Sequence, residues 1–530
     1  MKRFGLFLVF TAMFVAMTMP ALAQSDEMND LFKRYVAADK EQKAIVGQEL
    51  ETMAYNIWKA NKTKECRDFG TLCYEYIDNT DNAEDNIFMI SLFKYVGNYK
   101  DIDRLNKYAD NDCYADATIR TMAEIPAYAE HLNKLIIVSE GNLDHKNAYA
   151  YAIGRLKMVD QESLLLSWLK GADDYLKLEI YNALLRMGSS EAMLVADKGA
   201  KKLYKKKDVV LKIGGMKILA QTEGDKAMPY FYKALKNKDV NVRRTALELM
   251  KPYANEEITA YVVKKYAKKD VTADIVWWIG ELYDKSQAQF LVAQLSSENP
   301  KVVEEAIRAV FKIENQEGLN VVKTMFGGQY QPVIKETMIL TGCDISSILK
   351  DAMQGDDHKK LCALEILAEK RCPTLFSDVM NLIKSDNPEI KDAAYKALKN
   401  VAVGSQGEVL RNIMESCEER YVEDVQDAII IAMRKAKTKQ IDNFLKNIKK
   451  DSPEIMSRFY KIFVSFNTET SINKLVECYH LGYNKEKAVE ALMLIEDPTY
   501  VNVFQELVNE NDEYCERFDN KYHSLINEKK

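Results

Sequence analysis

Apolar and polar positions along the chain repeat with the period of a helix face, and the same face returns again and again. Three segments line up without gaps: DVNVRRTALELM from Asp239, NPKVVEEAIRAV from Asn299 and NPEIKDAAYKAL from Asn387. Each opens with Asp or Asn, whose side-chain oxygen can accept an otherwise unpaired N–H of a first helical turn. Pro300 and Pro388 follow at the first helical position, where a missing N–H costs nothing. Apolar residues then fall on one face: Val240, Val242, Ala246 and Leu249 in the first copy, Ile390, Ala394 and Ala397 in the third. Charged pairs such as Arg243-Arg244 and Glu304-Glu305 face elsewhere.

With the eighth position as a marker, weaker copies run along nearly the whole chain. They fall at Met89, Thr118, Ala152, Ile180, Gly214, Ala246, Trp277, Ala306, Ile334, Ala363, Ala394, Ala428, Phe459 and Ala488. The steps run from 28 to 34 residues, with the register of some copies open by one. Between markers lies a second helical pattern, as in AMPYFYKALKNK, AQFLVAQLSSEN and TLFSDVMNLIKS. Each unit is therefore two short helices and a turn. A lone hairpin of this size buries too little apolar surface to offset the ordering of its chain, and stacking on neighbours is the remedy. Ala and Gly at the marker allow close helix contact.

The opening D/N-P-x-V-R/K-x-x-A-x-x-A-L resembles the second helix of HEAT repeats, over roughly residues 80–500 and most strongly at 225–310 and 370–400. The expected fold is all-α: a right-handed α-α superhelix, or solenoid, of about fourteen HEAT-like two-helix repeats with an extended concave wall. Tetratricopeptide repeats differ, having a fixed period and a Trp-Leu-Gly-Tyr pattern absent here. The units DNPEIKDAAYKALKNVA and VEDVQDAIIIAMRKA are also similar to helical arrays attached to exported bacterial 3-keto-disaccharide hydrolase domains. After Ala488, however, only one or two helices fit before Lys530, and no β-rich catalytic module follows. The array is expected at 81–498, between a helical cap at 24–80 and a capping helix with a polar tail at 499–530.

The first 23 residues read as a leader. Lys2 and Arg3 precede an apolar run from Phe4 to Met19, Pro20 breaks it, and Ala21-Leu22-Ala23 suits cleavage after Ala23. The mature chain is expected to be periplasmic or secreted, with no membrane span. Removing Lys2 and Arg3 takes the net charge from −6 to −8, and that diffuse acidity argues against a nucleic-acid surface. Only 21 Gly and 10 Pro punctuate 530 residues, too few turns for an all-β or α/β chain. Nine cysteines cannot all pair internally; Cys66 with Cys73 and Cys362 with Cys372 are candidate disulfides, against the plainer reading of small core hydrophobes.

Catalytic patterns are missing. His131, His145, His358, His480 and His523 make no metal-ligand spacing. No nucleophile elbow or glycine-rich phosphate loop occurs: Gly404-Ser405-Gln406-Gly407 reads as a loop. Asp173-Asp174 and Asp356-Asp357 suit helix N-termini. No metal or cofactor is expected. Lys201-Lys202, Lys205 to Lys207, Lys264-Lys265 and Lys268-Lys269 fall near ends of first helices, as solvated cations complementing the dipole or as a patch for an anionic partner.

Trp277 and Trp278 point about 100° apart on one helix, so one is expected between units and the other, Trp278, on the concave wall, against the plainer reading that both are buried between neighbouring helices. The expected function is an exported, non-catalytic scaffold holding a protein or peptide on the face lined by second helices. Candidate contact residues are Arg243, Arg244, Trp278, Glu304, Glu305, Lys391 and Asp392. The alternative is a glycan-binding or carbohydrate-processing accessory of the cell envelope, suggested by the family similarity and by 29 tyrosines. A structural envelope spacer is a third reading.

Overall fold

The computed structural model describes residues 21–125, 128–269, 271–448, 452–510 and 513–528. Among these residues every regular element is a helix. The chain forms two compact units, Met1–Ala254 and Asn255–Lys530, and each is a row of antiparallel helix pairs in chain order. The leader expected at residues 1–23 lies almost wholly outside the described residues. No helix among the described residues is long and apolar enough to cross a membrane.

In the first unit the second helices of successive pairs are Lys40–Lys59, Ala83–Val96, Ala115–Met122, Lys146–Arg155, Asp174–Met187, Val209–Glu223 and Val240–Met250. Each packs on the next, and the first helices pack alongside, as Ser190–Tyr204 does on Val209–Glu223. In the second unit the same layer runs from Val271–Leu282 through Pro300–Lys312, Gln331–Leu340, Asp357–Leu367, Pro388–Val401, Val422–Met433, Tyr460–Phe466 and Lys485–Met493 to Cys515–Glu528.

The local signals act as their chemistry dictates. The Asp239 carboxylate accepts the N–H groups of Asn241 and Val242 at 2.8 and 3.2 Å, while Asn299 and Asn387 accept those of Lys301 and Glu389. Twelve of the fourteen markers are at most 1% exposed, so the repeat was read in the right phase there. At the other two, Gly214 and Trp277, the marker is half-buried and the next residue, Gly215 or Trp278, takes the core. Small residues set the helix spacing. A Cβ on Gly215 would lie 2.8 Å from the Ala200 carbonyl oxygen, and one on Gly154 would collide with the Ala183 backbone.

Within each unit polar side chains join neighbouring pairs at the repeat interval. Arg155 donates to both oxygens of Glu124, which also accepts the Tyr151 hydroxyl at 2.6 Å. In the second unit Arg308 reaches Glu336, Lys335 reaches Glu365 at 3.0 Å and Glu369 at 3.6 Å, and Lys461 reaches Asp427 at 2.9 Å. Backbone carbonyls take part too: Asn400 donates to Ala368 and Lys474 to Leu445.

All nine cysteines are free, which corrects both candidate disulfides. Cys66 and Cys73 lie on one continuous helix, Thr63–Asp78. Seven residues of helix rise about 10 Å, beyond the ~7 Å that a disulfide can span. Cys362 is buried in its helix, and the Cys372 thiol lies 3.2 Å from the Ser346 hydroxyl. Alkylation in denaturant without reductant is expected to label every cysteine; an intact mass short by two labels would reveal a disulfide.

Candidate functional site

The residues expected on the binding wall divide sharply. Arg243 is buried, only 6% exposed, and its guanidinium donates to the Asn237 and Lys238 carbonyls at 3.0 and 2.8 Å. It closes the turn of its own pair. Trp278 is fully buried, so the assignment of the two tryptophans is reversed: Trp277 is the half-buried one. The helix Val271–Leu282 is apolar nearly all round, which hides from the sequence which tryptophan faces outward.

The remaining candidates are half-buried and largely engaged. Glu305 lies 3.7 Å from Arg308. Lys391 meets Glu418 at 2.5 Å and sits over the Tyr421 ring, while Asp392 accepts the Tyr421 hydroxyl at 2.6 Å. The Tyr421 ring stacks on Tyr395 at 3.8 Å, so this polar-aromatic cluster ties two adjacent pairs together. Arg244 and Glu304 are half-buried on the same helix faces.

A better-formed surface lies at the N-terminal end of the second-helix layer. Lys40, Ala44, Gly47, Gln48 and Glu51 share one face of helix Lys40–Lys59 and line a groove of about 790 Å³ against Glu84 and Phe88 of helix Ala83–Val96. Gly47 lets the groove floor form, because a Cβ there would come within 3.3 Å of the Phe88 ring, itself stacked on Tyr35. The same helix face continues to Tyr55 and Trp58. Their rings meet Tyr95 at 5.8 and 6.3 Å, and Trp58 is 50% exposed. Glu51 stands between groove and rings, accepting from Lys94 at 2.6 Å and from the Tyr95 hydroxyl at 3.3 Å. Burial works against the Lys94 charge, but the hydrogen bond and charge of Glu51 outweigh it and hold the pKa above the usual lysine value.

An ionic cluster centred on the buried Asp85 lines the same groove. Asp85 accepts from Lys43 at 2.5 Å, from the Tyr76 hydroxyl at 2.9 Å and from the Tyr35 hydroxyl at 3.2 Å. Burial raises the Asp85 pKa, but Lys43 and the two hydroxyls overcome it and hold the carboxyl below its usual value. The hydrogen bond from Lys43 to Asp85 in turn raises the lysine. Tyr35 and Tyr76 are pushed up, chiefly by burial. All four groups satisfy one another, which makes the cluster a lock joining the first helix pair to the second.

No family model matches the chain, and no curated protein matches it. Among solved structures, one match is a chain of the structure described as "Kap95p Binding Induces the Switch Loops of RanGDP to adopt the GTP-bound Conformation". The identity is 10%, 94% of this chain and 81% of that one are covered, and the TM-score is 0.42. A likeness this distant carries no functional argument.

Outside the groove several polar groups serve the fold. Asp173 and Asp356 cap helices by accepting the Leu176 and Lys359 N–H groups. His145 contacts Asp116, His480 contacts Glu510 at 2.8 Å, and no group of three potential metal ligands occurs among the described residues. The Gly404–Gln406 turn borders a cavity of about 250 Å³ beside Arg411, whose charge is met by Glu408 and Glu415.

Sequence reasoning missed the groove, although one sign of it was legible. Val46, Leu50, Ala54 and Ile57 already complete the buried stripe of their helix. Tyr55 and Trp58 each fall one position off that stripe, where large aromatic rings have no core to fill. The Lys43–Asp85 contact spans 42 residues and left no sign.

Proposed function

We propose that the chain is an exported, non-catalytic scaffold that holds a protein segment or peptide against its second-helix face, with the N-terminal groove as the principal site. The observation that carries this reading is the half-exposed Trp58, set with Tyr55 and Tyr95 at the end of an open groove. Large rings of restricted freedom beside a groove lined with polar and charged side chains are the usual anchors of peptide recognition. Export rests on the leader pattern at residues 1–23.

A glycan is the second reading, favoured by the same rings next to Glu51 and Lys94. The rings are mutually tilted by 42 to 76°, which suits an irregular side-chain anchor better than a flat sugar platform.

Peptides selected by display on the full chain, and a glycan array, separate the readings. Selected peptides are expected to lose about tenfold or more in affinity to Trp58→Ala, the loss of an anchor ring. Equal binding by wild type and Trp58→Ala would remove the groove from the proposal, and glycan hits without peptide hits would replace the partner class.

A further inference from the structure

The lysines that cap first helices gather on one edge of the first unit, several pairs along the chain from the groove. Ser190–Tyr204 ends in the turn Lys205-Lys206-Lys207 before Asp208 opens the next helix. One repeat later Met228–Ala234 is followed by Lys236 and Lys238 before Asp239. The two turns are neighbours: the Tyr204 hydroxyl donates to the Tyr230 carbonyl, and Val209–Glu223 packs on Val240–Met250. Packed helices lie about 8–10 Å apart, so the turns follow one another at that interval.

Seven lysines lie in residues 202–210 and 233–240 against two acids, Asp208 and Asp239, in a chain whose net charge is −6. Both acids serve as helix caps, and Asp208 also accepts the Tyr175 hydroxyl from the preceding pair. Lys206 pairs with Asp174. The other six, Lys202, Lys205, Lys207, Lys233, Lys236 and Lys238, are exposed and pair with no acid among the described residues. The field is felt locally: burial, together with the charge of Lys233, pulls the pKa of Lys212 down.

Apolar side chains stand in the same turns. Val210 is 57% exposed and Val240 43%, both in the first residues of their helices. Cations with protruding aliphatics between them match an anionic bilayer surface: lysines meet headgroups while valines enter the boundary below. A soluble polyanion or acidic peptide would use the lysines and gain nothing from the valines.

We infer that this turn edge of the first unit is a peripheral docking surface for anionic lipid membranes. It is independent of the groove reading, and different residues carry it.

The test is co-sedimentation of the full chain with phosphatidylcholine vesicles and with vesicles also containing phosphatidylglycerol. The apolar N-terminal run is common to all variants, so the readout is the preference for anionic over neutral vesicles. A salt-sensitive preference is expected, and neutralising Lys205, Lys207, Lys236 and Lys238 to Gln should reduce it by more than ~100-fold, at about fivefold per lysine. The double variant Val210→Asp, Val240→Asp should lose it too, whereas Trp58→Ala should keep it. Circular dichroism checks that each variant is folded. No anionic preference in the wild type, or an unchanged preference in the lysine variant, overturns the proposal. Retention by the valine variant, or binding of heparin or polyglutamate without vesicle binding, reassigns the edge to a soluble polyanion and equally overturns it.

Discussion

Trp278→Ala is expected to destabilise the second unit by about 3–5 kcal/mol, the range for truncating a fully buried large aromatic. The upper part of the range applies because the void has little means of closing. Gly280, on the same helix, already lies so close to Pro300–Lys312 that an added Cβ would be 3.0 Å from Ala309, so the helices cannot move together. Trp278→Phe should cost far less. It keeps part of the ring volume and removes an indole N–H that has no acceptor among the described residues. Trp277→Ala, at a half-buried position, is the control. Urea unfolding with hydrogen exchange on Val271–Leu282 and Pro300–Lys312 reads the effect, and an unchanged midpoint for Trp278→Ala would contradict the packing described.

Asp85→Ala should loosen the first helix pair from the rest of its unit. Removing one partner of a buried ion pair costs about 3–5 kcal/mol, because the other charge is left without its counterion. The lower part of that range applies, since the Lys43 side chain keeps 23% of its exposure and can recover some hydration. Faster hydrogen exchange in Ala21–Ala37 and Lys40–Lys59, with the later helices unchanged, is the expected signature. The pH profile follows from the directions of the shifts. The Asp85 carboxyl titrates lower folded than unfolded, so its contribution is complete above the ordinary value of about 3.9 and is lost as pH falls through the depressed one. Lys43 titrates higher folded than unfolded, so its contribution is complete below about 10.4 and is lost as pH rises through the raised value. Tyr35 and Tyr76, also raised, act in the same alkaline direction. Protection of the first pair should therefore be flat between these limits, and Asp85→Asn should flatten the acid limb.

The array was legible because its signals are local. A capping Asp or Asn, a proline at the first turn and a one-sided apolar stripe act within a dozen residues, so Asp239, Asn299 and Asn387 could be placed from the chain alone. The terminal pairs were harder to read. Residues 499–530, expected as a capping helix with a polar tail, include the helix Cys515–Glu528, in which Phe518 and Leu525 are fully buried and the Phe518 ring meets Tyr479 edge-on at 5.3 Å. The burial of Arg243 and Trp278, and the internal pairing of other candidates, were hidden for a physical reason. A charge off the apolar stripe looks the same in sequence whether it faces solvent or the next pair, and Glu305, Lys391 and Asp392 have partners within the chain. Arg243 looked exposed because its charge hides an aliphatic stem that packs while the guanidinium closes a turn.

The side-chain rungs between pairs also constrain how such a chain can change in length. Lys335 finds Glu365, and Lys461 finds Asp427, through spacings of 30 and 34 residues that span one whole pair. A gene duplication or excision of one complete pair would hand each rung a new neighbour at nearly the same distance and orientation. An insertion of two residues inside a second helix would instead swing everything beyond it by about 200° and turn its charged residues away from their counterparts. Descendants of this sequence should therefore differ by whole pairs, with smaller insertions confined to the turns.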